Sequence, residues 1–428
     1  MSFVVLALYI TLTLLSPADL IPELSPYRPV MILSGIAVVI VLSGFLIQRD
    51  RFVTKESALM ALVYLSLLCS WPLHGWLGGA ILTAQLYTIL PVTFFIVLTG
   101  SSSVGRLRWL AYTIIGVAVY YAVRVVLAFD FNIAAERFIM QQTGGWDAVT
   151  EQSTSISRGI GRGILQDPND LGQLLLVAGS FLVLLWRRAG PIQRFFAAVA
   201  AFILLYGIYL TKSRGTLVGL FVLAALIFKE KVGLAGPLVG GAFVALLIML
   251  GGFGGGRAMS FGSGGDRLEL WSDALSLIKT YPLRGIGVNN IMDYMENTVH
   301  NSFLLAHVEM GLLGYPFWLG LVIVAALHVW RVAKFLKDRG LQATPHYALT
   351  RAVLLALGAF LSTCWFLSRT YSLLLYIVLG MGAALWVITK REYPELEDYT
   401  WMRIVVYTCS GIVGIFMAAY VLVRLHWG

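Results

Sequence analysis

Runs of about 20 apolar residues recur along nearly the whole chain, the length a helix needs to cross the hydrocarbon of a bilayer. Lipid offers an exposed backbone no hydrogen-bond partner, so such segments are built as α-helices that close their own bonds. Hydrophobic residues make up 59% of the chain and charged ones 12%, with a mean hydropathy of +0.82, which excludes a soluble fold. Spans are expected near 3–21, 30–47, 57–72, 80–98, 107–128, 169–186, 195–211, 215–228, 232–251, 302–330, 349–367, 370–388 and 403–424, about thirteen in all. The expected fold class is all-α: a polytopic transmembrane helical bundle of about 12–13 spans, read as a single membrane domain over residues 1–428 with no internal repeat. Neither a basic leader nor a small-residue cleavage site accompanies the first apolar run, so it reads as a retained helix. Cys69, Cys364 and Cys409 all lie in apolar runs, which gives neither a disulfide framework nor a metal-ligand spacing.

A net charge of +9 in a soluble domain would direct attention to nucleic acid. Here most of the 31 Lys and Arg residues sit in short connections, where they orient the chain, and membrane lipids are the expected surroundings rather than nucleic acid. Arg49, Arg51, Lys55, Arg106, Arg108, Arg187 and Arg188 mark the inner side, with the N-terminus on it. The odd span count puts the C-terminus outside. Arg124 is unusual in falling within a span. Two outer connections are long, 129–168 and 252–301, and long loops in a compact membrane domain are where function concentrates.

The second long loop is the polar centre of the sequence. Leu268, Trp271, Leu275 and Ile278 recur at helical spacing with Arg267, Glu269, Asp273 and Lys279 elsewhere around the wheel, so 266–281 is expected to be an amphipathic helix. Asp266 with Glu269 reads as its N-terminal cap, and Pro282 as its stop. Its apolar face suits either the membrane interface or the roof of a helix bundle. The glycines at 251–256 read as a hinge before it, since the strand and helix flanks of a nucleotide loop are missing. In the first long loop, SRGIGRGILQDPND carries Arg158 and Arg162 and ends in Asp167-Pro168, a helix cap followed by Pro at the first helical position.

Each polar candidate has a plain reading beside a chemical one. Lys212 and Arg214, in the tight turn TKSRG between two spans, are either snorkelling anchors on lipid headgroups or fixed cations aimed at a phosphate, for which a planar guanidinium is the better shape. Arg267 either pairs with a neighbouring carboxylate or joins them, and two arginines on one side of the membrane are what a diphosphate requires. His300, just before Asn301 at a helix entrance, is either an interface residue or an acid–base group that exchanges a proton near neutrality. His307 and Glu309 fall deeper on the same helix and read as packing or supporting residues. Arg284 and Asn301 lie within the same polar stretch, and Arg369 is a further outer cation or a topology anchor. The outer loops hold no His/Cys or acidic cluster of metal-ligand spacing, so neither metal nor cofactor is expected. Asp19 and Glu23 are the one carboxylate pair near the outer face, in a Pro-rich setting that reads as a turn.

Three segments together, TKSRGTLVGL at 211–220, GDRLELWSDALSLIKTYPLRGIGVNN at 265–290 and VHNSFLLAHVEMGLLG at 299–314, resemble the O-antigen ligase and polymerase superfamily of bacterial envelope glycosyltransferases, the ligases in particular. The resemblance implies a multi-pass protein of the bacterial inner membrane whose active site faces the periplasm. It implies transfer of a glycan from an undecaprenyl diphosphate carrier to an acceptor such as lipid A-core, without a metal ion. By that resemblance His300, Arg214 and Arg267 are the catalytic set, with Arg158, Arg162, Lys212, Arg284, Asn301 and Arg369 as substrate-binding candidates. The same set suits a polysaccharide polymerase or a protein O-oligosaccharyltransferase. A transporter would instead carry a midplane site and two related halves. The family's ligases have about twelve spans, so a thirteenth is a departure.

Overall fold

The computed structural model describes residues 2–147, 152–186, 190–235, 237–242 and 262–427. Its principal helices are α1 (Ser2–Leu15), α2 (Pro29–Ile47), α3 (Lys55–Ser70), α4 (Gly78–Tyr87), α5 (Ile89–Gly100), α6 (Val104–Phe131), α7 (Pro168–Phe181), α8 (Pro191–Thr211), α9 (Arg214–Val232), α10 (Gly262–Thr280), α11 (Ser302–Asp338), α12 (Pro345–Cys364), α13 (Leu373–Glu392) and α14 (Trp401–Trp427). Among the described residues, nine helices are long and apolar enough to cross a membrane, or ten if α4 and α5 count as one broken span. The expected single span at 80–98 is that pair, bent by 42°. The expected first span is a 14-residue helix, and most of the expected span at 232–251, with the glycine hinge at 251–256, lies outside the described residues. The protein is therefore an all-α polytopic helical bundle, with one addition: β1 (Ile139–Asp147) and β2 (Gln152–Gly159) pair as an antiparallel hairpin inside the first long loop.

The described residues form two compact units, one within Met1–Ile36, Val104–Ser260 and Leu341–Thr363, the other within Ala37–Ser103, Phe261–Gly340 and Cys364–Gly428. In the first, α6 is the spine. Leu107, Leu110, Ala111, Ile114, Ala118, Tyr121 and Val125 recur at three- and four-residue steps and are buried against α1, α7 and α8. Lipid is as apolar as these side chains, so close approach and buried hydrogen bonds hold such helices together. Gly172 supplies one approach: a Cβ there would stand 2.2 Å from Thr216 Oγ1 of α9. Gln173 of α7 bonds Thr363 at the end of α12.

In the second unit α11 is the spine, packed by α3, α13, α14 and α10. Near its far end His328 is sealed between two carboxylates, Nδ1 at 2.5 Å from Glu56 Oε1 and Nε2 at 2.9 Å from Asp398 Oδ1. Its ring stacks on Trp386 with centroids 3.9 Å apart, and Lys55 bonds the other oxygen of Asp398. Two anions and two cations thus neutralise one another, and the cluster ties α3, α11 and the segment before α14 into one junction. The residue order that matters most for function lies at the other end of α11, where the second long loop meets it.

Candidate functional site

In the first unit the TKSRG turn is built by local rules. Lys212 adopts φ 50 and ψ 33, the left-handed conformation that reverses the chain after α8. Ser213 then caps α9, its Oγ accepting from Thr216 N–H at 3.2 Å, which puts Arg214 at the first helical position, where the helix dipole favours an anion. Ser213 Oγ also donates to Asn169 Oδ1 at 2.7 Å. Asn169 follows Asp167, whose carboxylate accepts from the Asn169 N–H at 2.7 Å and caps α7 as its sequence suggested. The buried Arg158 of β2 ties the hairpin to this turn: Nε donates to Thr211 O at 3.0 Å, Nη1 to Gln142 Oε1 at 2.7 Å and Nη2 to Asn169 Oδ1 at 3.4 Å. Arg158 is therefore a brace for the turn that carries Lys212 and Arg214. Arg162 lies beyond it, past the end of β2.

In the second unit α10 begins at Gly262, so Asp266 sits inside the helix and is not its cap; four residues upstream continue the helix. The helix ends at Thr280, ahead of Pro282. Trp271, Leu275 and Ile278 are buried with Val299, Leu304 and Val308 of the α11 entrance and Ala419 and Val423 of α14, while Leu268 packs at the edge. The amphipathic helix is thus the roof of a bundle, and Arg267 projects from a helix whose apolar face is fully used.

After Pro282 the chain enters a break in α11. Gly311 has φ 56 and ψ −168, so α11 is two helices joined at a kink. The freed backbone groups find partners in the PLRGIG segment. Ile286 N–H donates to Val308 O at 2.9 Å and Gly287 N–H to Glu309 O at 3.2 Å, while Leu312 and Leu313 N–H donate to Pro282 O and Leu283 O at 2.9 and 3.0 Å. Two glycines make this pairing possible: a Cβ on Gly311 would meet Leu283 O at 2.3 Å and one on Gly285, itself at φ 66, would meet Glu309 O at 2.4 Å. Arg284, exposed on this segment, donates from Nη1 to Leu73 O at 3.1 Å and borders a cavity of about 170 Å³. The ring nitrogens of His74 face Ser70 O at 2.7 Å and Gly285 O at 3.0 Å, so this outer histidine is a staple.

The HNS segment is clamped in turn. His300 has φ 52, a left-handed conformation that costs a β-carbon-bearing residue energy and is held here by neighbours. Its N–H donates to Ser368 Oγ at 2.9 Å, and Thr298 Oγ1 donates to the same oxygen at 2.8 Å. Ser302 Oγ donates to Leu367 O at 2.6 Å and accepts from Arg369 N–H at 2.7 Å, while Thr370 Oγ1 donates to Ser302 O at 2.8 Å. Residues 298–302 are thus bonded to the LSRT turn between α12 and α13, which brings Arg369 and half-buried His300 into one site. Asn301 is buried and caps α11, its Oδ1 accepting from Phe303 and Leu304 N–H, so its side chain is spent on the helix.

Deeper in the same unit the Glu309 carboxylate accepts from Tyr371 OH at 2.6 Å and Asn289 N–H at 3.1 Å, and His307 stacks on Tyr315 with centroids 4.6 Å apart. Burial, with Glu309 beside it, pushes the Tyr371 phenol well above its ordinary value, so it stays a donor. Ser368 and Tyr371 were not singled out from sequence; their only signal was the polar run SRTYS between two apolar spans. Arg214, Lys212, Arg158 and Arg162 belong to the first unit, and Arg267, Arg284, His300, Asn301 and Arg369 to the second.

Comparison with known proteins gives one family. Residues 199–319 match the family model described as O-antigen ligase (Wzy_C), a stretch that contains the SRG turn, α10, the PLRGIG segment and the HNS clamp. No curated protein matches the chain.

Proposed function

With the match over 199–319 supporting a place in the O-antigen ligase and polymerase superfamily, we propose that this membrane glycosyltransferase is an O-antigen ligase. It moves a glycan from undecaprenyl diphosphate to a hydroxyl of lipid A-core at the periplasmic face of the inner membrane. The observation that carries the reading is His300, held in a left-handed conformation by Ser368 beside Arg369. The imidazole takes the proton of the acceptor hydroxyl as its oxygen attacks the anomeric carbon. The bond from that carbon to the phosphate oxygen breaks, and the diphosphate leaves with the electron pair. Arg214 and Arg267 stabilise the charge that develops on it, which is the work a metal does elsewhere. Arg158, Arg162, Lys212, Arg284, Asn301 and Arg369 are the substrate-side candidates. Of these, Arg158 and Asn301 act by fixing the backbone around the cations, given how their side chains are bonded.

His300→Ala tests the assignment: transfer is lost while membrane insertion and thermal stability stay near wild type, and wild-type turnover of the variant would refute it. A polymerase would use the same residues, so deletion of the gene separates the two. Loss of a ligase leaves full-length polymer on its carrier and a bare lipid A-core, whereas loss of a polymerase leaves the core with a single repeat unit.

A further inference from the structure

Arg124 lies within α6, on the same face as Tyr121 three residues earlier. Its guanidinium stands 4.8 Å from the centroid of the Phe138 ring, and that ring is 6.5 Å from the ring of Tyr121. The backbone of Arg162 hydrogen-bonds the Tyr121 phenol. Ile160 N–H donates to Phe138 O at 3.0 Å, and Val125 fills the space that a Cβ on Gly159 would need. Arg124 and Arg162 therefore flank one aromatic pair at the base of the hairpin.

Both guanidinium groups have a buried Nε with no hydrogen-bond partner, and among the described residues neither forms an ion pair. Asp19, the carboxylate nearest the pair, acts on the Tyr121 phenol and is bonded to neither arginine. Arg158, on the adjoining strand, is taken up by Thr211, Gln142 and Asn169. Two partly desolvated cations without a counter-charge are costly, and an anion bonded by both offsets that cost. Stacking on Phe138 fixes the plane of the Arg124 fork, the arrangement suited to the oxygens of a phosphate. Because α6 is a membrane span, the anion that reaches Arg124 comes on an amphiphile.

We propose that Arg124 and Arg162 form a binding site for the phosphate headgroup of a polyprenyl lipid. Only the identity of the lipid rests on the glycan-transfer reading. The test uses full-length protein in nanodiscs, with undecaprenyl monophosphate as probe and, in a separate arm, inorganic phosphate at the same concentration. The lipid is expected to raise the Tm of wild type and of His300→Ala alike, so the site stands even where the base assignment falls. Arg124→Met and Arg162→Gln are each expected to weaken lipid binding about ten-fold or more, the loss of a charge-assisted hydrogen bond. Without probe, Arg124→Met is expected to melt at or above wild type, because the change removes an unpaired cation. Unchanged lipid binding in both variants overturns the proposal, as does unliganded Arg124→Met melting well below wild type. An equal rise with inorganic phosphate makes the site one for free anions and also overturns it.

Discussion

Replacing Ser368 by Ala asks whether the conformation of His300 matters to the chemistry. Ser368 Oγ accepts the His300 N–H at 2.9 Å and the Thr298 hydroxyl at 2.8 Å, and nothing else printed by the geometry holds that N–H. A left-handed backbone costs a residue with a β-carbon about 1–2 kcal/mol. An intramolecular hydrogen bond returns about 1 kcal/mol, and the N–H left behind in a half-buried place costs about 1 kcal/mol more. Removing the hydroxyl therefore weakens the preference for φ 52 at His300 by about 1.4 kcal/mol after allowance for solvent, a factor of about ten in the competent population. The reaction read in membranes from a lipid-linked glycan and lipid A-core is expected to lose about ten-fold in kcat, with KM close to wild type and the pH midpoint of the rate unmoved. Ser368→Thr keeps the hydroxyl and is expected to restore most of the rate. A Ser368→Ala enzyme with wild-type kcat, or a Thr variant no better than Ala, refutes the argument that this turn positions His300.

Arg214→Lys and Arg267→Lys keep the charge and lose the two-pronged fork, so each is expected to reduce transfer about ten-fold; full activity in both reduces the arginines to anchors. Gly311→Ala drives a Cβ to 2.3 Å from Leu283 O at φ 56, and is expected to cost at least about 2 kcal/mol in unfolding and to free the PLRGIG segment, read by amide exchange at Ile286 and Gly287. Burial pushes the Asp398 carboxyl up, but hydrogen bonds from His328 and Lys55 outweigh it and hold the group down at about 2, below its ordinary 3.8. Its contribution to stability is accordingly present above pH 4 and lost as pH falls toward 2, so Asp398→Asn is expected to lower Tm at pH 7 and to converge on wild type through that window. A constant difference across pH rules this out.

The apolar runs of this chain determined by themselves that it is a bundle of membrane helices, since lipid leaves the backbone few alternatives to the helix. Local chemistry was legible for the same reason. Asp167-Pro168 caps α7, the apolar stripe of α10 is buried, and the helix stops before Pro282, all through interactions within a few residues. The hairpin at 139–159 escaped because its polar strands bury no alternating stripe, and the bend between α4 and α5 because an apolar run looks alike straight or broken. The tertiary structure alone decided how the site is held. The glycines of PLRGIG and of EMGLLG have a role only when the loop lies in the break at Gly311, and that pairing joins residues about 25 positions apart. Ser368 meets His300 across 68 residues, a contact that no period or spacing encodes. Arg158 read as a free cation in a loop, and three neutral acceptors brought by separate elements make it a brace. Periodicity reports which face of a helix is buried; which partner covers it, and which polar group is spent in doing so, is settled by packing.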